Sequence, residues 1–347
     1  MKAFSTVEHL LRQPEVELHS CQIVPLHSIP HRLDYILQAL SDRGMSQLVE
    51  PTRYDLTTAA KVHSPDYLAF LASAWQRWQD QGYSGQLIPN IWPARRMRSD
   101  PAPKHIAAQL GYYALAADSA ITEGTWQAAL SAKDLAMSGM DCLLQGEHSA
   151  FALCRPPGHH AARDQFGGYC FLNNVAIAAQ HALDNGAHKV AILDVDFHHG
   201  NGTQDIFYQR DDVLTLSLHG DPEHAFPYFL GRAEETGEGA GLGCNVNYPL
   251  PPGTRYPQWL ATLQTAFERI QQFGAQYLVV SLGVDTFEND PISFFQLSSA
   301  DFSDYGHHIG KLGLPTLFVM EGGYAVKDIG INTVNVLAGF EAAVGGN

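Results

Sequence analysis

The chain lacks much of what several protein classes require. Cysteine is scarce and odd in number: Cys21, Cys142, Cys154, Cys170 and Cys244, with no Cys-x-x-Cys pair. That usage excludes a disulfide framework and indicates a reducing compartment. Positive charge is also short, with 21 Lys and Arg against 36 Asp and Glu and a formal net charge of −15. Such a balance argues against nucleic-acid binding and favours a cationic partner or substrate. No apolar run is long enough to span a membrane. Near the start, Glu8, His9, Arg12, Glu15 and Glu17 leave no apolar core for a signal peptide. A soluble, cytoplasmic protein is therefore expected. Internal repeats and low-complexity tracts are missing, and no composition shift marks a domain boundary. The hydrophobic fraction of 45% in 347 residues suffices for a large core. One domain covering 1–347 is the expectation, because α/β folds of this size often form a single unit.

What is present centres on Lys189 to Gln204, KVAILDVDFHHGNGTQ. Val190, Ala191, Ile192 and Leu193 form an apolar run of the kind buried on both faces of a parallel sheet. Polarity then changes abruptly, with Asp194, Asp196, His198 and His199 before Gly200-Asn201-Gly202. Alternate side chains of an extended segment point the same way, so Asp194, Asp196 and His198 share one side. Two carboxylates and an imidazole packed that closely repel or strand charge unless a cation lies between them. A metal site is a better reading than a capped strand end.

Around this stretch the chain alternates between helix and strand. Leu33, Ile36, Leu37 and Leu40 predict a helix over 32–40, and Ser64-Pro65 starts another with Tyr67, Leu68, Leu71 and Trp75 on its apolar face. From 81 to 104 the periodicity fails in a Gly-, Pro- and Arg-rich segment. Leu87, Ile91 and Trp92 mark it as a packed excursion that meets a partner subunit. Helices are predicted over 107–121 and 132–145, and a strand over 149–154. A helix over 174–185 follows, with Asn173 or Asn174 as N-cap and Gly186 as C-cap. Further strands are read at 213–219, 277–285 and 314–320. Between them run a helix carrying Trp259, Leu260, Leu263, Phe267, Ile270 and Phe273, and one after Ser298-Ser299. This alternation implies an α/β fold with a parallel sheet flanked by helices on both faces.

Every predicted strand ends in reactive residues: RPPGHH at 155–160, Asp194 to His199, SLHGD at 217–221, GVD at 283–285 and EGGY at 321–324. Open α/β sheets bind ligands along that edge. Asp196, His198 and Asp285 make a three-ligand set that leaves a position for water or substrate, as catalytic zinc requires. Tandem His159-His160 supplies a base and an acid, with Asp194 orienting His159. Tyr324, after Gly322-Gly323, can donate a hydrogen bond to a carbonyl oxygen that gains negative charge. Tyr169 and Phe226 each adjoin a reactive cluster, where two rings would wall a narrow channel.

RPPGHHA, GGYCFLNN, DVDFHHGNGTQ, SLHGDP and EGGY resemble the histone deacetylase superfamily, with its arginase–deacetylase fold. HGDPEHAFPYFLGRAEETGEGAG, SLGVDTFENDPISFF and the 81–104 insertion look specifically like bacterial acetylpolyamine amidohydrolases. The resemblance implies one catalytic Zn2+ on Asp196, His198 and Asp285, with His159, His160, Asp194 and Tyr324 in catalysis. It implies one or two structural K+ or Na+ ions around Asp194, Asp196, His198, Ser217 and Leu218. The substrate channel is implied to include Glu17, Gly168, Tyr169, Phe226 and Gly322, with Glu17 near the distal amine. Two departures stand out. Asn201 occupies a position where some deacetylases place an acid behind the second histidine. Ala107 falls where polyamine-specific relatives carry a glutamate, with Asp100 and Asp118 the nearest acids. The implied activity is removal of acetyl groups from small cationic acetylated diamines or polyamines, by a homodimer formed through 81–104. A protein-lysine deacetylase is the alternative. An inactive acetyl-amine binding protein would lack a ligand or Tyr324, and an arginase-like ureohydrolase would need ligands for two metals.

Overall fold

Val190 to Asp194 is buried at every position, and its two faces feed different cores. Val190 and Ile192 join Ala150, Ala152, Val279, Leu317 and Val319 on one side of a sheet. Ala191 and Leu193 join Phe151, Leu216, Val280 and Phe318 on the other. Alternation along a pleated strand sends neighbours to opposite faces, so a run apolar at every position needs cover on both. In the computed structural model, which describes residues 1–19, 22–45 and 47–345, helices supply that cover.

The strands are β1 (Lys2–Phe4), β2 (Glu17–His19), β3 (Gln22–Val24), β4 (Leu48–Val49), β5 (Ser149–Ala152), β6 (Val190–Asp194), β7 (Val213–Gly220), β8 (Asn245–Leu250), β9 (Tyr277–Leu282) and β10 (Thr316–Met320). Eight form one sheet in the order β4-β1-β5-β10-β9-β6-β7-β8, with every pairing parallel. β2 and β3 stand apart as an antiparallel hairpin. The helices are α1 (Arg32–Asp42), α2 (Ala59–Val62), α3 (Pro65–Asp80), α4 (Ile106–Tyr112), α5 (Thr125–Leu144), α6 (Asn174–Asp184), α7 (Asn201–Phe207), α8 (Tyr256–Phe273), α9 (Ser299–Gly310) and α10 (Ile329–Val344). The α2–α6 side chains fill the first core, and α1, α8, α9 and α10 fill the second.

Local signals placed most of these elements. Ser64 caps α3 by accepting from the Tyr67 N–H, and Asn173 caps α6 through Ala176. Ser298 and Asp301 close a reciprocal capping box on α9. The predicted helix over 107–121 is shorter than expected and ends at Tyr112. Beyond it the backbone bonds elsewhere: the Leu115 N–H donates to Phe166 and Ile121 pairs with Leu87. Tertiary pairing overrides helix propensity there. In contrast α5 starts seven residues earlier than the expected 132. The 81–104 excursion has no helix or extended strand, yet Leu87 is fully buried and Trp92 donates to the Ala114 carbonyl at 2.9 Å. Ile91 is half exposed. Cys142, Cys154, Cys170 and Cys244 are free thiols, while Cys21 lies outside the described residues. Among the described residues no helix is long and apolar enough to cross a membrane.

Candidate active site

Parallel pairing brings the carboxyl ends of β5, β6, β7, β9 and β10 to one edge, and the segments that follow them carry the reactive side chains. At its centre Asp196, His198 and Asp285 place ligand atoms within 4.8 Å of one another. His198 Nδ1 lies 3.2 Å from Asp196 Oδ1 and 3.1 Å from Asp285 Oδ2. All three residues are buried. Glycine makes the crowding possible. A Cβ on Gly322 would fall 2.4 Å from Asp285 Oδ2 and 2.5 Å from Asp196 Oδ2, and one on Gly283 would overlap Asp196. The Gly322 N–H instead donates to Asp196 at 2.8 Å.

The electrostatics of this trio suit a cation. Burial and then the Asp196 charge push the Asp285 carboxyl up to about 7. Burial opposes charge on His198, but hydrogen bonds to both aspartates raise it to about 10. The protein alone must keep a proton among three dry groups to limit repulsion. A divalent ion would replace that proton, and one imidazole with two carboxylates is a donor set that zinc accepts.

Two histidines adjoin the trio with different backing. His159 Nδ1 donates to Asp194 Oδ2 at 2.9 Å; burial disfavours its charge, but Asp194 and Asp196 raise it to about 10. His160 Nδ1 lies 2.6 Å from Asn201 Oδ1, a neutral partner. The Asn201 amide donates its own N–H to the His160 carbonyl at 3.3 Å, which turns its oxygen toward the ring and places the His160 proton on Nδ1. Burial, then the neighbouring His159 and His198, drive His160 well below the usual imidazole range. Gly168, at φ +55°, packs against this ring, and a Cβ there would come within 2.1 Å of it.

Tyr324 lies across the site. Burial drives its phenol far above the ordinary range, with Arg32 acting in the opposite sense. The Arg32 guanidinium lies 5.0 Å from the ring centre, and its N–H groups donate to the Gly323 and Glu321 carbonyls at 2.6 and 2.9 Å. Asp290 accepts from the Tyr324 and Ala325 N–H groups at 2.7 and 3.2 Å. Glu321 in turn accepts from the N–H groups of Gly158 and His159, at 2.6 and 3.2 Å. These supports were missed in the sequence. Asp290 and Glu321 sit inside family-like motifs, but no spacing rule assigns an acid to backbone amides.

Above this floor opens a cleft of about 440 Å3. Tyr169, Phe226, Gly168, His160, His198 and Tyr324 line it, and Asp118 and His19 join from the rim. Tyr169 adopts φ 67°, a costly conformation for a non-glycine residue, and its ring is 5.8 Å from that of Tyr324. Glu17 does not line the cleft openly. It is 4% exposed and accepts from the Tyr169 hydroxyl at 2.9 Å and from His27. Asp118 holds the Gly168 N–H at 3.0 Å. On the opposite side Asp194 and Ser217 face each other in register and line a small polar cavity with His199, Gln204, Asn245 and Asn247. Leu218, the next residue on β7, is wholly buried.

Comparison with known proteins gives the same family throughout. A histone deacetylase domain matches residues 27–340. The acetylpolyamine amidohydrolase of Mycoplana ramosa is 53% identical over 339 residues, covering 98% of this chain and 99% of that protein. Acetylpolyamine amidohydrolase 1 of Pseudomonas aeruginosa is 51% identical over 337 residues, with 97% of each chain covered. The crystal structure of acetylpolyamine aminohydrolase from Burkholderia pseudomallei superposes with a TM-score of 0.94 at 35% identity, covering 99% of both chains. The HDA15 HD domain superposes at 0.80 with 26% identity, covering 99% of this chain and 89% of that one.

Proposed function

The chain belongs to the histone deacetylase domain family, and from that membership we propose a zinc-dependent amidohydrolase that deacetylates acetylated diamines and polyamines. Its products are acetate and the free amine. One observation carries this reading: a buried Asp-His-Asp trio, a tandem histidine pair and a tyrosine converge on the floor of a ring-walled cleft. The relatives named above as acetylpolyamine amidohydrolases match over nearly the whole length of this chain.

Asp196, His198 and Asp285 would hold the metal. A zinc bound there supplies Lewis-acid polarisation of the amide carbonyl and makes water reactive near neutral pH. The chain's own groups do the rest. Tyr169 and Phe226 enclose the aliphatic arm, with Gly168 and Gly322 leaving room beside His160 and the metal ligands. His160, its proton fixed on Nδ1 by Asn201, turns the Nε2 lone pair to the reacting water and takes its proton. His159, held as an imidazolium by Asp194, gives a proton to the departing nitrogen. Tyr324 donates its phenolic hydrogen to the carbonyl oxygen as negative charge grows there. Asp118, on the cleft wall, meets the distal ammonium, and Glu17 shapes the channel by holding Tyr169.

Asp194, Asp196, His198, Ser217 and Leu218 are assigned one or two structural K+ or Na+ ions, partly through backbone carbonyls. The whole chain, 1–347, acts as one catalytic domain with 81–104 as an insertion. That insertion carries exposed Ile91 and Met97 beside Arg95, Arg96 and Arg98, which suits a second copy of this acidic chain. Deleting it would take buried Leu87 out of the core and leave its partner Ile121 unpaired, so Arg95, Arg96 and Arg98 changed together to Glu is the cleaner test: dimer in the parent, monomer in the variant, by sedimentation. An intact parent that sediments as a monomer at micromolar concentration would end the homodimer proposal.

Substrate class is tested by competing acetylputrescine and acetylcadaverine against an acetyl-lysine peptide. The diamines should win in kcat/KM, and their advantage should shrink with salt as long-range attraction is screened. Equal efficiency on the peptide would reassign the enzyme to protein-lysine substrates.

A further inference from the structure

We propose that Glu17, His19 and His27 form a second divalent-metal site, of nitrogen and carboxylate donors, on the rim of the cleft. Their ligand atoms all lie within 4.8 Å of one another, as do those of the Asp196–His198–Asp285 trio. The third cluster of this kind among the described residues, His159, Cys170 and Glu321, shares His159 with the active site and belongs to it.

The rim site follows from the hairpin. Glu17 and His19 are alternate residues of β2 and project to one side. The chain returns through β3 to His27, whose ring lies 5.2 Å from that of His19 at an interplanar angle of 53°. Glu17 is buried and aimed: the Tyr169 hydroxyl and the His27 N–H, at 2.9 and 3.2 Å, fix its carboxylate. His27 Nδ1 also contacts that carboxylate closely, so a proton sits where imidazole and carboxylate converge. A metal ion can replace such a proton without new ligands. Burial and the neighbouring His27 lower the basicity of His19, which keeps its lone pair free for coordination. Two imidazoles and a carboxylate match zinc, nickel or copper better than magnesium or calcium.

Position gives the site its consequence. His19 lines the cleft, and the His27 ring stands edge-on to Tyr324 at 6.3 Å. An ion held there adds positive charge on the path of a cationic amine. Excess zinc should then raise KM for acetylated diamines more than for a neutral acetylated alkylamine. This consequence rests on the cleft being the substrate path; the metal uptake does not.

Equilibrium dialysis of the holoenzyme against micromolar zinc, with metal counted per chain, is the test. The wild type should bind one further equivalent beyond the resident ion. His19→Gln and His27→Gln should each keep the resident ion and lose the further one, and within each variant added zinc should no longer raise KM. Asp285→Ala should show the reverse, losing the floor ion and keeping the rim ion. A wild type that stops at one equivalent, lost in Asp285→Ala, overturns the rim site alone. A further equivalent that survives in both histidine variants also overturns it. A single equivalent lost in His19→Gln but kept in Asp285→Ala would instead overturn the floor assignment.

Discussion

The floor and the rim of the cleft are built by different means. Floor residues follow the ends of parallel strands whose every neighbour is fixed by a buried sheet: Asp194 pairs in register with Ser217 on β7 and Ser281 on β9. Rim residues come from the small β2–β3 hairpin, from Asp118 in irregular chain and from loops such as that of Phe226. On the proposed function, chemistry that tolerates little displacement would lie on the sheet edge, and the parts that would meet the variable end of a substrate on loops. Variants at the floor should therefore damage the reaction itself, and loss of a rim charge that faces the cleft its selectivity.

Tyr324→Phe is the severest probe at the floor. Removing one donor to a developing oxyanion costs roughly 100- to 1000-fold in turnover. Metal content should be unchanged, and near-normal kcat would show that another group polarises the carbonyl. Asp290→Ala comes next, because it frees the backbone N–H groups that hold Tyr324. A displaced catalytic group costs up to roughly 100-fold, so kcat should fall while KM and metal content stay near the parent values. A rise in KM alone would remove Asp290 from the support of Tyr324.

Rim variants should separate charge recognition from shape. Asp118→Asn keeps an acceptor for Gly168 but loses the charge, so kcat/KM for acetylated diamines should fall roughly tenfold or more. A neutral acetylated alkylamine should be barely affected. Glu17→Gln should lower both substrates alike, because Glu17 acts through Tyr169. If Glu17→Gln selectively harmed the diamines, the distal ammonium would belong to Glu17 rather than Asp118.

The smallest effect lies beneath the floor. His63 is fully buried, donating from Nδ1 to the Ala162 carbonyl and accepting the Asn173 N–H, each at 2.9 Å. Burial lowers it to about 4. The unfolded chain takes up this proton near 6.5 and the folded one only near 4, so stability falls as pH drops through that window. Urea unfolding should show a loss on the order of 1–2 kcal/mol between pH 7 and 5 from this group. His63→Gln should flatten that dependence; an unchanged slope would assign it to other buried histidines.

The same division governs what could be read from the sequence. β6 was legible because Val190 to Leu193 is apolar on both faces, and the switch to Asp194, Asp196 and His198 marks where sheet ends and chemistry begins. Asp285 and Tyr324 were legible as strand-end residues of the same kind. The helix end at Tyr112 was not, since it depends on Phe166, over fifty residues away. Nor was the burial of Glu17, which depends on Tyr169 and His27 arriving from other segments. Asp290 and Arg32 were hidden for a further reason: they act on backbone groups, which every sequence has at every position.

The central claim is that Asp196, His198 and Asp285 hold the catalytic metal. Metal analysis of wild type and Asp285→Ala, both dialysed in zinc-free buffer, tests it directly. The wild type should retain one zinc per chain and Asp285→Ala should lose it together with activity, while equal zinc in the two proteins would contradict the assignment.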